Sequence, residues 1–348
     1  MDKAPLTYAA AGVSIDAQDK AIAMFKNAVA ATHGPEVLAG VGAFCAAFAP
    51  NLTGLREPVL LSSTDSLGTK TMLHSRFGTW EWAGRDVIGC VMNDVLVSGA
   101  HPLFFLDYLA LNKVVPEQVA ELVNGVAAAC GEIGCALIGG EIAEMNDVYK
   151  PGDFDLVGFA VGIVEREQML GAHLVNTGDV FIGLNSSGVH CNGFSLVRRS
   201  LADTPDEEWL AYDDTLGTSL HDSLLCPTRC YAREMSGLAS HFNIHAAAHI
   251  SGGGLIDNLP RVLSDQHCAC IDRDAINVPP IFAIIQRNGN ITNDEMWHVF
   301  NMGVGFVVIV EQHNADAVLK YCKDNHIGAA LIGEVTEATD GRRFMWRS

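Results

Sequence analysis

From Pro58 to Val335 the chain repeats one pattern. A short apolar run is followed by a break marked by Gly or Pro, and then by a longer segment whose apolar residues recur every three or four positions. The first kind of segment suits a half-buried or buried strand and the second an amphipathic helix. Asp16 to Ala31 predicts a helix with Ile22, Phe25 and Val29 on one face, and Pro58 to Thr64 predicts a strand. Glu81 to Ser98 predicts a helix closed by Gly99, with Pro102 just beyond it. Leu103 to Leu111, Cys135 to Ile138 and Phe154 to Val164 predict strands, the second ending in Gly-Gly, and Pro116 to Gly131 predicts a helix with proline in its first turn. The alternation resumes at Val180 and runs to the end, with a helix from Asn192 and another over Leu255 to Leu263. Strands and helices interleaved in this way predict an α/β or α+β chain with mixed sheets. Gly171 to Val180 reads as the passage between two domains, 1–170 and 171–348, and a chain of 348 residues is long enough for two cores.

Charge narrows the function classes. The formal net charge is −19, which disfavours nucleic acid, because that binding neutralises phosphates with Lys and Arg. Any smaller anion has to be met by a few aimed cations, by helix N-termini or by a divalent metal. No apolar stretch reaches the roughly 18 residues of a membrane span. Asp2, Lys3 and Asp16 near the start do not make a signal peptide. The ten cysteines form no CxxC pair and no zinc spacing; the expectation is reduced, mostly buried thiols in a cytoplasmic protein.

Three carboxylates stand where an acid needs a reason. Asp94 falls three residues after Val91 and seven after Val87, on the apolar face of its predicted helix. A lone ionised carboxylate is costly to bury there, so it requires an ion pair, a helix-end donor or a metal. Asp65 and Glu141 both come at predicted strand ends, the region where ligands gather in open α/β sheets. The three acids converging on Mg²⁺ is one reading, and separate structural roles are the other. Asp107, within "LFFLDYLAL", reads as a hydrogen-bonded structural acid.

Beyond Asp65, "LGTK" supplies Gly68 for close backbone approach, the Thr69 hydroxyl and the Lys70 ammonium. The order is not that of a Walker A loop. In "NSSGVHCNGF", Gly188 and Gly193 flank His190 and Asn192 ahead of a helix. Such a turn serves either as an anion cradle with a histidine able to move protons, or as a plain loop with a capping Asn. His245 and His249 are four apart but lack the glutamate of a HExxH zinc site, and Ser251 with Gly252 to Gly254 forms a second candidate cradle. The acidic stretch Asp203 to Asp214 reads as a solvated loop.

These segments, in this order, resemble the phosphoribosylformylglycinamidine cyclo-ligase family. The likeness runs from "YAAAGVSIDA" through "TDSLGTK", "NDVLVSGAHPLFFLDY", "GGEIAEM", "DFDLVGFAVG", "SSGVHCNGFSLVR", "PTRCY" and "HAAAHISGGG" to "FNMGVGF". The run Asp94 to Pro102 alone resembles the signature of a wider ATP-binding superfamily, so another enzyme of that group, or a non-catalytic nucleotide-binding relative, is the alternative. The chain departs from the family pattern at Ser66, Ala39, Ala43, Cys45, Ile142, Asn146-Asp147, Val189 and Met302.

The resemblance implies ATP-dependent ring closure of formylglycinamidine ribonucleotide. It also implies a homodimer in which two four-stranded N-terminal sheets close an eight-stranded barrel, beside a C-terminal domain of mixed sheet and helices. It implies ATP contacts from Lys26, Gly68, Thr69, Lys70, Asn93, Gly140, Gly188, Gly252 and Gly253, and Mg²⁺ on Asp65, Asp94 and Glu141. His190, Asn192 and Lys70 would then lie at the chemistry.

Overall fold

The computed structural model describes residue 7 and residues 12–347; Asp2, Lys3 and the Tyr8 to Ala11 part of the first motif lie outside it. The chain separates into two compact units. The first comprises the chain up to Gly54, Ser62–Val91 and Pro102–Val161, and the second Leu55–Leu61, Met92–His101 and everything from Gly162 onward. The boundary is therefore not a single cut: two short excursions, one of them the end of a helix, belong to the second unit.

The N-terminal half runs α1 (Ile15–Ala30), β1 (Val37–Ala39), β2 (Ala47–Phe48), β3 (Pro58–Ser66), α2 (Thr71–Phe77), α3 (Trp80–Leu96), β4 (His101–Leu111), α4 (Pro116–Glu132), β5 (Ala136–Glu144) and β6 (Phe154–Glu165). The Ser14 hydroxyl accepts the Ala17 amide to start α1, whose buried stripe is Ala21, Phe25 and Val29. Helices α3 and α4 cross backbone to backbone. A Cβ at Gly84 would stand 2.0 Å from the Leu122 carbonyl oxygen, and one at Gly125 would stand 2.1 Å from that of Glu81. That contact explains two glycines inside helices, where each otherwise costs roughly 1 kcal/mol.

The sheet order is β3-β6-β4-β5, with β4 and β5 parallel. Residues two apart on a strand share a face. Phe105 lies against Gly158 at the position that Val87 of α3 also touches, so Phe105, Asp107 and Leu109 point to the helices. Phe104, Leu106 and Tyr108 point the other way. The register slips by one residue at Ile138, and Glu141 consequently pairs with Tyr108 while Gly140 pairs with Asp107. The predicted strand end at Gly-Gly is corrected: β5 continues through both glycines to Glu144.

The C-terminal half runs β7 (Val180–Asn185), α5 (Phe194–Ser200), α6 (Asp206–Leu210), β8 (Tyr212–Asp213), β9 (Thr218–Ser219), α7 (Leu220–Leu225), α8 (Ala232–His241), β10 (Ile244–His249), α9 (Gly254–Asn258), β11 (His267–Ile271), α10 (Pro280–Gly289), α11 (Asn293–Val299), β12 (Val304–Val310), α12 (Ala315–Asp324), β13 (Ala329–Glu337) and β14 (Phe344–Trp346). Its six-stranded sheet has the order β10-β12-β7-β13-β11-β14, antiparallel except between β11 and β14. The acidic stretch is not simply a loop. Trp209 buries itself and pins the short helix α6, with three acids in its first turn where they interact favourably with the helix dipole. Helix α9 is shorter than its pattern predicts, giving way to a 3₁₀ turn at Leu259–Val262.

Candidate functional site

In the first unit the chain leaves β3 at Ser66 and passes through a 3₁₀ turn, Gly68–Lys70, into α2. Asp65 is exposed and its Oδ1 accepts the Ser66 amide at 2.7 Å. Gly68 takes the left-handed φ of 57°, and nothing stands within 4 Å of where its Cβ would be, so the turn is open above it. Thr69 is half-buried.

Lys70 turns inward. It is completely buried, with Nζ 2.9 Å from Asp86 Oδ1 and 2.7 Å from Oδ2. His74 joins the same carboxylate, its Nε2 at 2.8 Å from Asp86 Oδ2 and its Nδ1 at 2.7 Å from the Thr79 hydroxyl. Burial pushes the His74 pKa down, against the pull of Asp86, so the ring is neutral, with Nε2–H donating to Asp86. Burial alone would raise the Asp86 pKa, but the Lys70 charge and the His74 hydrogen bond outweigh it and hold the carboxyl below its ordinary value. A lysine held by both oxygens of a buried carboxylate is not presented to a phosphate.

Glu141 is exposed on β5, on the face it shares with Tyr108. Asp65 is on β3, the opposite edge of the sheet. Three strand spacings, about 14 Å, separate those edges, too far for the short oxygen bonds of one hard cation. Among the described residues no group of three His, Cys, Asp or Glu side chains is placed to hold a metal. The predicted set is therefore not brought together in one chain: strand order divides Asp65 from Glu141, and Asp94 belongs to the second unit.

On the helix-covered face, a cavity of about 170 Å³ opens between α1, α4 and the β4–β5 pair. Gly140 and Glu141 line it, and so does Asp107, which the sequence pattern reads as structural. Lys26 sits on the exposed side of α1, one residue after the cavity-lining Phe25.

In the second unit several loops converge. Asn93 is buried on the last turns of α3. Its Nδ2 donates to the Arg229 carbonyl at 2.8 Å and its Oδ1 accepts the Tyr231 amide at 3.0 Å. Both ends of the amide thus clamp the 229–231 segment. Asp94, next in sequence, is half-exposed and bound through Oδ1 to His249 Nδ1 at 2.8 Å. His249 ends β10 and leads into Ser251 and the glycines. Asn258 ties that loop by donating Nδ2 to the carbonyls of Gly252 and Gly254 at 3.2 and 2.8 Å.

His190 is buried at φ 67°, and its Nε2 accepts the Ser187 amide at 3.2 Å. Its ring packs beside Tyr231 and against Gly305, where a Cβ would stand 2.4 Å from Cε1. The ring shapes its own loop from inside. Asn192 is the more accessible member, and its Oδ1 lies 3.3 Å from where a Gly252 Cβ would be. The two predicted cradles are therefore adjacent at Asn192 and Gly252. Asn301 closes the group by donating to the Gly188 and Val189 carbonyls at 2.9 and 3.2 Å.

Sequence reasoning missed Asp86, His249 as the partner of Asp94, Asn258 and Asn301. The signal for His249 was present: a buried-face carboxylate demands a partner, and the histidine lies in a motif already singled out.

Comparison with known proteins agrees with this architecture. The model of the AIR synthase related protein N-terminal domain matches residues 35–164, and that of the C-terminal domain matches residues 176–345. The chain is 46% identical over 333 residues to the phosphoribosylformylglycinamidine cyclo-ligase of Carboxydothermus hydrogenoformans, covering 95% of this chain and 96% of that one. It is 43% identical over 339 residues to the protein of the same name from Desulfitobacterium hafniense, covering 97% and 99%. Among solved structures it is similar to the hydrogenase maturation protein HypE of E. coli, with TM-score 0.67 at 17% identity over 95% of this chain and 94% of that one. It is also similar to thiamine-monophosphate kinase from Stenotrophomonas maltophilia, with TM-score 0.65 at 18% identity over 92% and 96%. The structural likenesses concern the fold alone.

Proposed function

Because the chain belongs to the phosphoribosylformylglycinamidine cyclo-ligase family, we infer that it closes the imidazole ring of formylglycinamidine ribonucleotide at the expense of ATP, in purine biosynthesis. The observation that carries this is 46% identity sustained over 333 residues, through both domains. The formyl oxygen takes the γ-phosphoryl group and ADP leaves. An amidine nitrogen of the same molecule then attacks the activated carbon, loses a proton, and phosphate departs. An amide oxygen is a poor leaving group until phosphorylated; what remains for the protein is positioning and charge neutralisation.

The site residues divide by unit. In the first, the open turn at Gly68 and Thr69 faces the triphosphate and Lys26 offers a cation from α1. The cavity at Gly140 lies on the helix-covered side of the sheet. In the second, Asn192 with the Gly188 and Gly252–Gly253 backbones faces the reacting amide, and Asp94 fixes the ring of His249. Lys70 and Asn93 support these loops from inside.

A homodimer is supported by the sheet of the first unit. The face away from the helices carries Tyr108 and Phe159, each 37% exposed, beside half-buried Phe104 and Leu106. An apolar sheet face of this kind is the surface that a second copy covers when two four-stranded sheets close an eight-stranded barrel. With the two-fold along the barrel axis, the β3 edge of one copy adjoins the β5 edge of the other. Asp65 and Glu141 of the partner subunit then form the oxygen donor set that suits Mg²⁺, whose chemistry when bound is to offset phosphate charge. The ten free cysteines suit a reducing cytoplasm.

Purified protein given ATP, Mg²⁺ and formylglycinamidine ribonucleotide should form the aminoimidazole product and phosphate in equal amounts. ATP binding with neither product would overturn the reading in favour of a non-catalytic relative.

A further inference from the structure

Between α7 and α8 the chain runs from Pro227 to Tyr231 as neither helix nor strand. Such backbone has no ladder of its own, so its carbonyls and amides need partners from elsewhere. They come from two places. The Ser187 hydroxyl donates to the Pro227 carbonyl at 2.7 Å, and the Thr228 hydroxyl shares a hydrogen bond of 3.1 Å with the Cys191 thiol. Ser187 and Cys191 belong to the loop that carries His190 and Asn192. The Arg229 carbonyl and the Tyr231 amide are both taken by Asn93, on the last turns of α3. Asn93 adjoins Asp94, which holds His249. One short segment therefore touches the loop on one side and the end of α3 on the other, all within the second unit.

Tyr231 makes both connections by itself. It is fully buried. Its amide reaches Asn93, while its hydroxyl donates to the Asn185 carbonyl at 2.8 Å, where β7 ends and the loop begins. Its ring stacks on Phe306 at 5.1 Å and stands 6.4 Å from the His190 ring. Gly305 leaves the room for this arrangement: a Cβ there would lie 2.2 Å from the Tyr231 hydroxyl oxygen and 2.4 Å from His190 Cε1. Burial pushes the phenol pKa up, so the hydroxyl keeps its proton and stays a donor. A plain connector between two helices needs neither a buried phenol nor a buried threonine bonded to this loop or its root.

We propose that Tyr231 and Thr228 are positioning residues for the ring-closure reaction, and that the 227–231 segment is a strut fixing the Asn192 loop relative to the Asp94 end of α3. The inference rests on the reaction described above. There the formyl oxygen has to meet the γ-phosphoryl group in a set geometry, and a misplacement of about 1 Å costs about a hundredfold in rate. Tyr231 and Thr228 are buried and act through the loop, not on the substrate. A loop free to shift also lets water take the phosphoryl group, so that ATP and water give ADP and phosphate with no ring closed.

The test gives the intact protein ATP, Mg²⁺ and formylglycinamidine ribonucleotide and measures aminoimidazole product and phosphate together. Tyr231→Phe and Thr228→Val each remove one hydroxyl and keep the side-chain shape. Each should lower kcat by about tenfold, the scale of one lost hydrogen bond, and leave both KM values within about threefold of wild type. Each should also release phosphate in excess of product. Thr228→Ser, which keeps the hydroxyl, should restore equal yields. Thermal unfolding gives the folded fraction of every variant. Equal yields of product and phosphate in both Tyr231→Phe and Thr228→Val overturn the proposal. So does a kcat that falls only in proportion to the folded fraction, or a Thr228→Ser protein as uncoupled as Thr228→Val. A wild-type protein that forms no aminoimidazole product would instead sink the reading of the reaction.

Discussion

Lys70 offers the sharpest test of the physical reasoning, because sequence and structure assign it different work. Its ammonium and the Asp86 carboxylate are both fully buried and 2.7 Å apart. Removing one member of such a pair leaves an uncompensated charge, at a cost of about 3–5 kcal/mol; removing both together is far less harmful. Lys70→Met and Asp86→Asn should therefore each lower the unfolding midpoint by roughly 6–20 °C, taking 2–4 °C per kcal/mol. The double variant should recover at least half of that loss. Fluorescence of Trp80 and Trp82, which share α3 with Asp86, reports the transition. The pH dependence has a definite sign. The Asp86 pKa is depressed in the fold, so its contribution is complete above the ordinary carboxylate value of 3.8 and is lost as pH falls below it. Asp86→Asn should lack that acid limb. Additive losses in the double variant would refute the coupling. A folded, stable double variant whose ATP affinity has collapsed would refute the structural role and return Lys70 to the phosphates.

Two further predictions use different readouts. Asp65→Asn and Glu141→Gln, each inactive alone, should recover about one quarter of wild-type activity when mixed and reassembled, since half the dimers are mixed and each has one intact site of two; no recovery would place both acids in one chain's site. Asp107 has a raised pKa, so the native state holds its proton between pH 3.8 and about 7 while the unfolded chain releases it, and stability falls as pH rises through that window. Asp107→Asn should thus match wild type near pH 4 and exceed it by up to about 4 kcal/mol at pH 8 in urea unfolding; a constant difference across that range would contradict the burial argument.

What the sequence showed and what it hid follow from the range of the forces involved. Helices α1, α3 and α4 are legible because their apolar spacing is local, and the family's motifs are legible because each is a contiguous run. Strand order is not local. Nothing near Asp65 or Glu141 says that β6 and β4 come between them, so two acids that look equivalent as strand-end candidates sit on opposite edges. The partner of Lys70 was hidden for a related reason. A lysine after Gly-Thr suggests a phosphate, and only the packing of α2 on α3 brings Asp86 to it from sixteen residues away. A clue was present, since Asp86 shares the face of α3 defined by Cys90 and Asn93, four and seven residues on, and all three are buried. The argument that demanded a partner for Asp94 therefore applied to Asp86 with greater force.

Asp107 falls under the same rule. An acid on a strand face that turns inward needs a partner, and among the described residues no cation stands beside this one; its carboxyl has a hydrogen bond to its own backbone and lies over Gly140. The break predicted at Gly139-Gly140 is then explained: β5 does not stop there but runs on, and a Cβ at Gly140 would stand 2.0 Å from the Asp107 carboxyl.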